Sequence, residues 1–399
     1  GARFVRCPCL TAGVAQRAWQ TGRCPRQVCI EADFEGGAVE VLCIADAVIR
    51  LRLRPDGGGR CTEGLKRRRG GRHPGQWFYF CSSQMSTGCT YHFELDVSGA
   101  RERRSFKGYT ACASYDSVSW FRCPGTVYDE VKGYLSWDFK ADAASCFFAY
   151  FEPYSSDRLS TMLQAAESCG AGRRTLGKSL DGRAVEALCF PATLLGAGRS
   201  AAGAVRGAGH VVWITCRQHA AETQASFFAE GFVDSLLRDV PHDCSFVVVP
   251  NMNPDGSFRG HTRENARGVD LNREWRPKAN YSQTGRSPEV ACVQASMLGT
   301  GVALHFDVHG DEAAEAAYAY PGLPRSRSSL RQQKIFAALE DALHERSDGF
   351  YVPRKGTGSE RTATFWSALQ FGAASLTLEM PYKVHGCSHF AADSMACRK

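Results

Sequence analysis

In Val211-Val212-Trp213-Ile214-Thr215-Cys216-Arg217-Gln218-His219-Ala220-Ala221-Glu222, the apolar run Val211–Ile214 leads into a polar segment that carries a histidine and a glutamate. A short continuous apolar run of this kind reads as a strand buried on both faces, as in a parallel sheet. Further on, the apolar run from Ala303 to Val308 delivers His309 in the same way. Two histidines and a glutamate presented at strand ends are a donor set for a catalytic Zn²⁺ that keeps an open position.

Spacing alone is weak support, because H-x-x-E also occurs at His261/Glu264 and His309/Glu312 in a chain with 11 histidines. Context separates the pairs. His261 sits among Arg259, Arg263 and Arg267, whose guanidiniums disfavour a divalent cation and suit an anion. His219 and His309 each follow a buried-type strand, whose rigid edge can hold a ligand in place. We therefore expect His219, Glu222 and His309 as metal ligands, with Glu312 supporting them or facing substrate.

Around these elements, strand-type runs alternate with helices. A Ser156-Asp157 cap precedes a stripe of Leu159, Met162, Leu163 and Ala166. Residues 171–208 read as loops with one or two short strands. A helix through Phe228, Phe232 and Leu236 follows the first histidine. The run Ser245–Pro250 leads to a polar loop, Ser287-Pro288-Glu289 opens another helix, and a further helix lies around Ile335–Leu343 before the strand Ala374–Met380. This predicts an α/β/α domain over residues 149–399 with a mixed, largely parallel central sheet. Sites in such sheets lie at the carboxyl ends of strands, where the candidate ligands stand.

Upstream, residues 27–148 have a period of two. In Val48-Ile49-Arg50-Leu51-Arg52-Leu53-Arg54, apolar and charged residues alternate as in a strand with one wet face. Several such strands without helices between them indicate an antiparallel β-sandwich. Residues 1–26 are basic and aperiodic and receive no assignment.

The bulk numbers fit this two-domain reading. The chain of 399 residues exceeds a usual single core, and its 44% hydrophobic and 22% charged residues describe a globular protein. No apolar run approaches the ~20 residues needed to span a bilayer, so no membrane partner is expected. The formal charge of +7 is concentrated in Lys66-Arg67-Arg68-Arg69 and Arg72, within a glycine-rich stretch from Gly57 to Gly75 that reads as a surface loop. Basic residues are not interleaved with aromatics along any stripe, which argues against nucleic acid. The 18 cysteines lie mostly in apolar contexts and no signal peptide is legible, so reduced thiols and a cytoplasmic location are expected.

Glu379 closes the apolar strand Ser375-Leu376-Thr377-Leu378. It is either a paired core charge or a base whose pKa burial has raised toward the working pH. Together with His219-x-x-Glu222 come Asn253-Pro254-Asp255-Gly256, Asp270-Leu271-Asn272-Arg273-x-Trp275, Asp307-x-His309-Gly310-Asp311-Glu312 and Leu376-Thr377-Leu378-Glu379-Met380-Pro381. In this order the motifs resemble the zinc metallocarboxypeptidase superfamily, and most closely its cytosolic carboxypeptidase branch with bacterial relatives. The stretches Gln76-Trp77-Phe78-Tyr79-Phe80, Tyr109–Tyr115 and Phe148–Tyr154 resemble the β-sandwich that precedes the catalytic domain there. The resemblance covers about residues 27–385.

The resemblance implies one Zn²⁺ on His219, Glu222 and His309, with Asp270 accepting a hydrogen bond from a ligating imidazole. It also implies Asn272 and Arg273 as the clamp on a terminal carboxylate, Arg263 as oxyanion stabiliser and Glu379 as the base. It implies hydrolysis of C-terminal peptide bonds, with removal of glutamate from acidic tails such as polyglutamylated tubulin. Arg354, Lys355 and Arg361 are the candidate basic pocket. Two departures stand out. Ala220-Ala221 replaces the branch's usual Pro-Gly, and no substrate-capping tyrosine is matched, Tyr351 and Tyr382 being weak candidates. Rival expectations are a zinc-dependent deacylase of small amino-acid derivatives and a non-catalytic binding protein that retains the fold.

Overall fold

The computed structural model describes residues 28–56, 75–195, 210–276, 285–347, 349–353 and 356–383. Residues 1–26, most of the arginine-rich stretch, Arg354, Lys355 and the segment from Gly386 onward lie outside the described residues. The chain divides into two compact units, one of residues 1–153 with Arg259–His261 and one of the remainder.

Among the described residues the first unit has ten strands. They are β1 (Cys29–Glu31), β2 (Glu40–Ala45), β3 (Val48–Arg52), β4 (Tyr79–Ser83) and β5 (Thr90–Asp96), then β6 (Cys112–Ser114), β7 (Phe121–Arg122), β8 (Val127–Asp129), β9 (Tyr134–Lys140) and β10 (Cys146–Ala149). They form two five-stranded sheets, ordered β1-β4-β10-β6-β7 and β2-β3-β5-β9-β8. All pairs are antiparallel except β3 with β5, which run parallel. Across that pair Arg50 meets Glu94 at 2.6 Å and Arg52 meets Asp96 at 3.1 Å, so the charged face of β3 is neutralised.

The inward faces meet through aromatic rings. Phe93 of β5 lies 4.7 Å from Phe148 of β10 and 5.3 Å, nearly parallel, from Trp137 of β9. Phe80, Phe93 and Phe148 are fully buried. Offset and edge-on ring pairs of this kind add stability beyond the area they bury.

The second unit carries a seven-stranded sheet. Its strands are β11 (Gly172–Lys178), β12 (Ala184–Phe190), β13 (His210–Cys216), β14 (Cys244–Val249), β15 (Leu304–Asp311), β16 (Tyr318–Pro321) and β17 (Ala374–Pro381). The order is β11-β12-β14-β13-β15-β17-β16, with β14, β13, β15 and β17 mutually parallel and the outer strands antiparallel. Helices cover both faces: α1 (Ser156–Ser168), α2 (Thr223–Arg238), α3 (Pro254–Arg259), α4 (Pro288–Thr300), α5 (Leu330–Arg346) and α6 (Ala363–Phe371).

On one face Met162 and Leu163 of α1 and Ala225, Ala229 and Val233 of α2 pack on Val212, Ile214, Val248 and Leu376. On the other, Val290, Val293 and Met297 of α4 and Trp366 of α6 pack on Val211, Trp213, Val247 and Val249. The first helix is capped by Ser155, whose hydroxyl accepts from the Arg158 amide, one residue earlier than the sequence suggested. The polar loop after Pro250 opens with the short helix α3, which starts on a proline.

Two buried carboxyls in this unit behave oppositely. Asp255 is satisfied by the Ser179 hydroxyl at 2.7 Å, the Asp181 amide at 2.8 Å and Arg183 at 2.8 Å. Glu289, fully buried at the start of α4, has a long side-chain contact from Asn265 at 3.4 Å and backbone hydrogen bonds involving its own amide and Leu180. Burial pushes its pKa up to about 7, against the hydrogen bonds from its own backbone amide and from Asn265, which lower it.

Candidate active site

The three central parallel strands end together. β13 pairs with β15 through Thr215 and Asp307, and β15 pairs with β17 through Asp307 and Thr377 and then His309 and Glu379. His309 and Glu379 therefore occupy the same rung of adjacent strands. Beyond Cys216 the chain turns at Arg217, a non-glycine residue in the left-handed region with φ +56°. Such a conformation costs about 1–3 kcal/mol and persists where surroundings enforce it. Here the Arg217 guanidinium donates to the carbonyls of Ala220 at 2.9 Å and Tyr154 at 2.9 Å, which pins the turn carrying His219 and Glu222.

One donor atom each from His219, Glu222 and His309 lie within 4.8 Å of one another. His219 Nδ1 is 2.6 Å from Glu222 Oε1, His309 Nδ1 is 2.8 Å from Glu222 Oε2, and the two Nδ1 atoms are 3.1 Å apart. All three side chains are buried. Bonds near 2.0–2.1 Å at tetrahedral angles separate ligand atoms by about 3.3 Å, so the donor set fits a zinc ion with slight relaxation. Of the other H-x-x-E residues, neither His261 nor Glu264 joins this cluster.

The charges around it are strongly coupled. Burial alone would raise the Glu222 pKa, but the two imidazoles outweigh it and hold the carboxyl well below its usual range. Burial opposes a charged His309, yet Asp307 and Glu222 win and raise it well above the ordinary histidine value. Asp270 is likewise held low against burial, by His219 at 3.2 Å and Arg263 at 2.7 Å. Arg263 is partly buried, with its NH1 3.2 Å from His219 Nδ1.

Glu379 is half-buried and accepts from the Tyr320 hydroxyl at 3.3 Å. Burial, then Glu222, Asp311 and Glu312, push its pKa to about 8, while His309 pulls it down. Glu312 is pushed to about 7 by burial and Glu222, with Arg263 opposing. The expected carboxylate clamp divides. Asn272 is buried, its carbonyl oxygen accepting from the Ala363 amide at 2.9 Å and its amide nitrogen 3.1 Å from His309 Nε2. Arg273 is exposed and donates to the main-chain carbonyl of Asn272. Arg361 is also exposed and, 3.5 Å from Glu274, shares that carboxylate with Arg276. Tyr351 and Tyr382 are fully buried, so neither is an exposed cap.

Sequence reasoning missed Asp307, whose Oδ2 is 2.8 Å from His309 Nε2, and the residues behind it. The available signal was alternation. His305, Asp307 and His309 are every second residue of β15 and share one face. Burial pushes the pKa of His305 down to about 4, so its imidazole is neutral.

Comparison with known proteins agrees with this architecture. A parallel α/β unit with a buried histidine–glutamate cluster at its strand ends is the layout of a metal-dependent hydrolase. Residues 162–297 match the zinc carboxypeptidase family and residues 30–151 the cytosolic carboxypeptidase N-terminal domain. The crystal structure of a metallo-carboxypeptidase from Burkholderia cenocepacia is 32% identical, with a TM-score of 0.75, covering 89% of this chain and 90% of that one. An uncharacterised protein of Zymomonas mobilis is 34% identical over 330 residues, 78% of this chain and 80% of that protein. Cytosolic carboxypeptidase 2 of Danio rerio is 27% identical over 71% of this chain, which spans only 43% of that longer protein. The chain belongs to the zinc carboxypeptidase family, peptide hydrolases, and within it to the cytosolic carboxypeptidases. Among the described residues no helix is long and apolar enough to cross a membrane.

Proposed function

We propose that this metallocarboxypeptidase holds zinc on His219, Glu222 and His309 and preferentially removes C-terminal glutamate. The observation that carries the site assignment is the buried three-donor cluster with Glu379 on the same rung as His309. A zinc ion supplies Lewis acidity toward the scissile carbonyl and toward a water molecule. The remaining work falls to side chains. Glu379, with its raised pKa, takes the proton of the attacking water and passes it to the leaving amine. Arg263, oriented by Asp270, offers its guanidinium to the oxygen that becomes negative. Arg273 takes the substrate's terminal carboxylate, a planar guanidinium being suited to two parallel hydrogen bonds. Asn272 assists it through its side-chain amide group.

The glutamate preference rests on the arginines near Glu274 and on the family membership. Arg276 and Arg361 leave one net positive charge around Glu274, and Arg273 adds another. By the same reasoning, polyglutamylated tails such as tubulin's are candidate substrates inside a cell. A second reading, release of basic residues, has its own support. A metallo-carboxypeptidase from Pseudomonas aeruginosa, 31% identical, was crystallised with (2-guanidinoethylmercapto)succinic acid, which carries a guanidinium. Asp311 and Glu312 beside Glu379 would suit such a group. Steady-state rates on matched peptides ending in Glu, Leu and Lys decide between the readings, alongside zinc analysis of the purified protein. A clear preference for Lys or Leu defeats the glutamate proposal.

A further inference from the structure

Behind His309 lies a chain of buried polar side chains that none of the proposed catalytic steps uses. The Asp307 carboxylate receives the Thr215 hydroxyl at 2.7 Å on Oδ1 and the Gln218 amide nitrogen at 2.8 and 2.7 Å on its two oxygens. Gln218 cannot be turned over, because its carbonyl oxygen accepts from Trp275 Nε1 at 2.8 Å and an indole nitrogen only donates. Thr215 is also 2.9 Å from His305 Nε2, His305 Nδ1 is 2.8 Å from the Ser367 hydroxyl, and Ser367 is 2.9 Å from the Ser375 hydroxyl. Thr215, Gln218, His305, Asp307 and Ser367 have no exposed surface.

Counting hydrogens gives this chain a direction. An ionised Asp307 can only accept, so the single Thr215 hydrogen is used there. Thr215 must then accept from His305, which puts the proton of that imidazole on Nε2 and leaves Nδ1 to accept from Ser367. Ser367 in turn prefers this bond to the carbonyl of Thr364, which is 3.2 Å away. All three donors push toward Asp307, and its remaining lone pairs face His309 Nε2 at 2.8 Å. The Asn272 amide nitrogen is also near Nε2, at 3.1 Å, but a neutral amide competes poorly with a charge-assisted bond.

We propose that Thr215, Gln218 and His305 are positioning residues for metal binding: they hold Asp307 so that His309 keeps its proton on Nε2 and presents Nδ1 to the cation. A metal-ligating imidazole is oriented in this way by the partner of its other nitrogen. This inference rests on the ligand assignment above and extends it to residues two contacts away from the ion.

The test is zinc affinity, measured by competition with a chromophoric chelator, beside thermal unfolding of the metal-free protein. Asp307→Asn is expected to weaken zinc binding about 10- to 100-fold, and Thr215→Val, which removes only the hydroxyl, roughly tenfold. Thr215→Ser, which restores the hydroxyl, should return to within about twofold of wild type. A purely structural role would lower the unfolding temperature and leave the zinc affinity of the folded protein unchanged. A folded Thr215→Val chain that binds zinc like wild type overturns the proposal. If Thr215→Val does not fold, Gln218→Met is read by the same criterion. A wild-type protein that binds no zinc defeats the ligand assignment itself, a result distinct from loss of the relay alone.

Discussion

The interior of the β-sandwich and the interior beneath the ends of β13, β15 and β17 are equally buried and chemically opposite. In the first, the rings of Phe93, Trp137 and Phe148 pack at 4.7–5.8 Å and leave little for hydrogen bonds to do. In the second, the fully buried face of β15 carries His305, Asp307 and His309. Burying polar groups costs free energy unless each finds a partner, so such a stripe persists only as a connected network. The aromatic interior maximises packing, and the polar one accepts that cost and yields oriented donors. Burial alone therefore does not mark a structural core. What distinguishes the two is whether the buried atoms point anywhere.

The contrast is broken or sharpened most strongly at Glu379. Glu379→Gln preserves shape and removes the base, so peptide release should fall by about 10²- to 10⁴-fold while the chain stays folded and its zinc content is unchanged. Retained turnover would show that the polar region does not do the chemistry assigned to it. In the aromatic region the expectation is reversed. Phe93→Ala should cost roughly 3–5 kcal/mol of stability in denaturant titration of that unit while leaving chelator-measured zinc affinity alone. A change in metal affinity would mean that the two interiors are not independent.

Glu289 tests the cost of burying a carboxyl with too few partners. Its folded pKa of about 7 lies above the unfolded value, so its contribution is fully present below about pH 4.5 and is lost as pH rises through 7. Glu289→Gln should therefore be more stable than wild type by roughly 2–3 kcal/mol at pH 8 and equal to it near pH 4, read from melts across that range. Identical pH profiles would remove the claim. The smallest effect is expected at Arg50, whose pair with Glu94 is partly exposed. Glu94 is held down at about 2, by His92 first and Arg50 after it, with burial opposing. A carboxyl depressed in this way stabilises above its unfolded pKa and loses that contribution as pH falls toward 2. Arg50→Ala should thus cost at most about 1 kcal/mol at neutral pH and less in acid.

What could be read from the chain follows from range and period. His219, His309 and Glu379 were legible because each ends a strand-like run, and a strand end is where an α/β sheet exposes chemistry. His305 and Asp307 were passed over inside a stretch taken as apolar. On a strand covered on both sides, polar residues at every second position are buried together, and local hydropathy alone cannot separate that from a solvated face. Helix α6 was not anticipated because Ala363 to Ala368 are all buried and no amphipathic stripe exists to detect. The parallel pairing of β3 with β5 depends on partners far apart in the chain, which local alternation does not encode. Residues 171–208 were expected to be loops with one or two short strands; the two seven-residue strands found there were obscured by the charged, half-exposed face of β11.

Because His309 and Glu379 sit opposite each other on neighbouring strands, their backbone spacing is set by the ~4.8 Å ladder of a sheet and not by any loop. Rim segments can be lengthened, shortened or recoloured in charge without retuning that interval. A lineage, or an engineer, could thus change which tails are trimmed while inheriting the same chemical ruler.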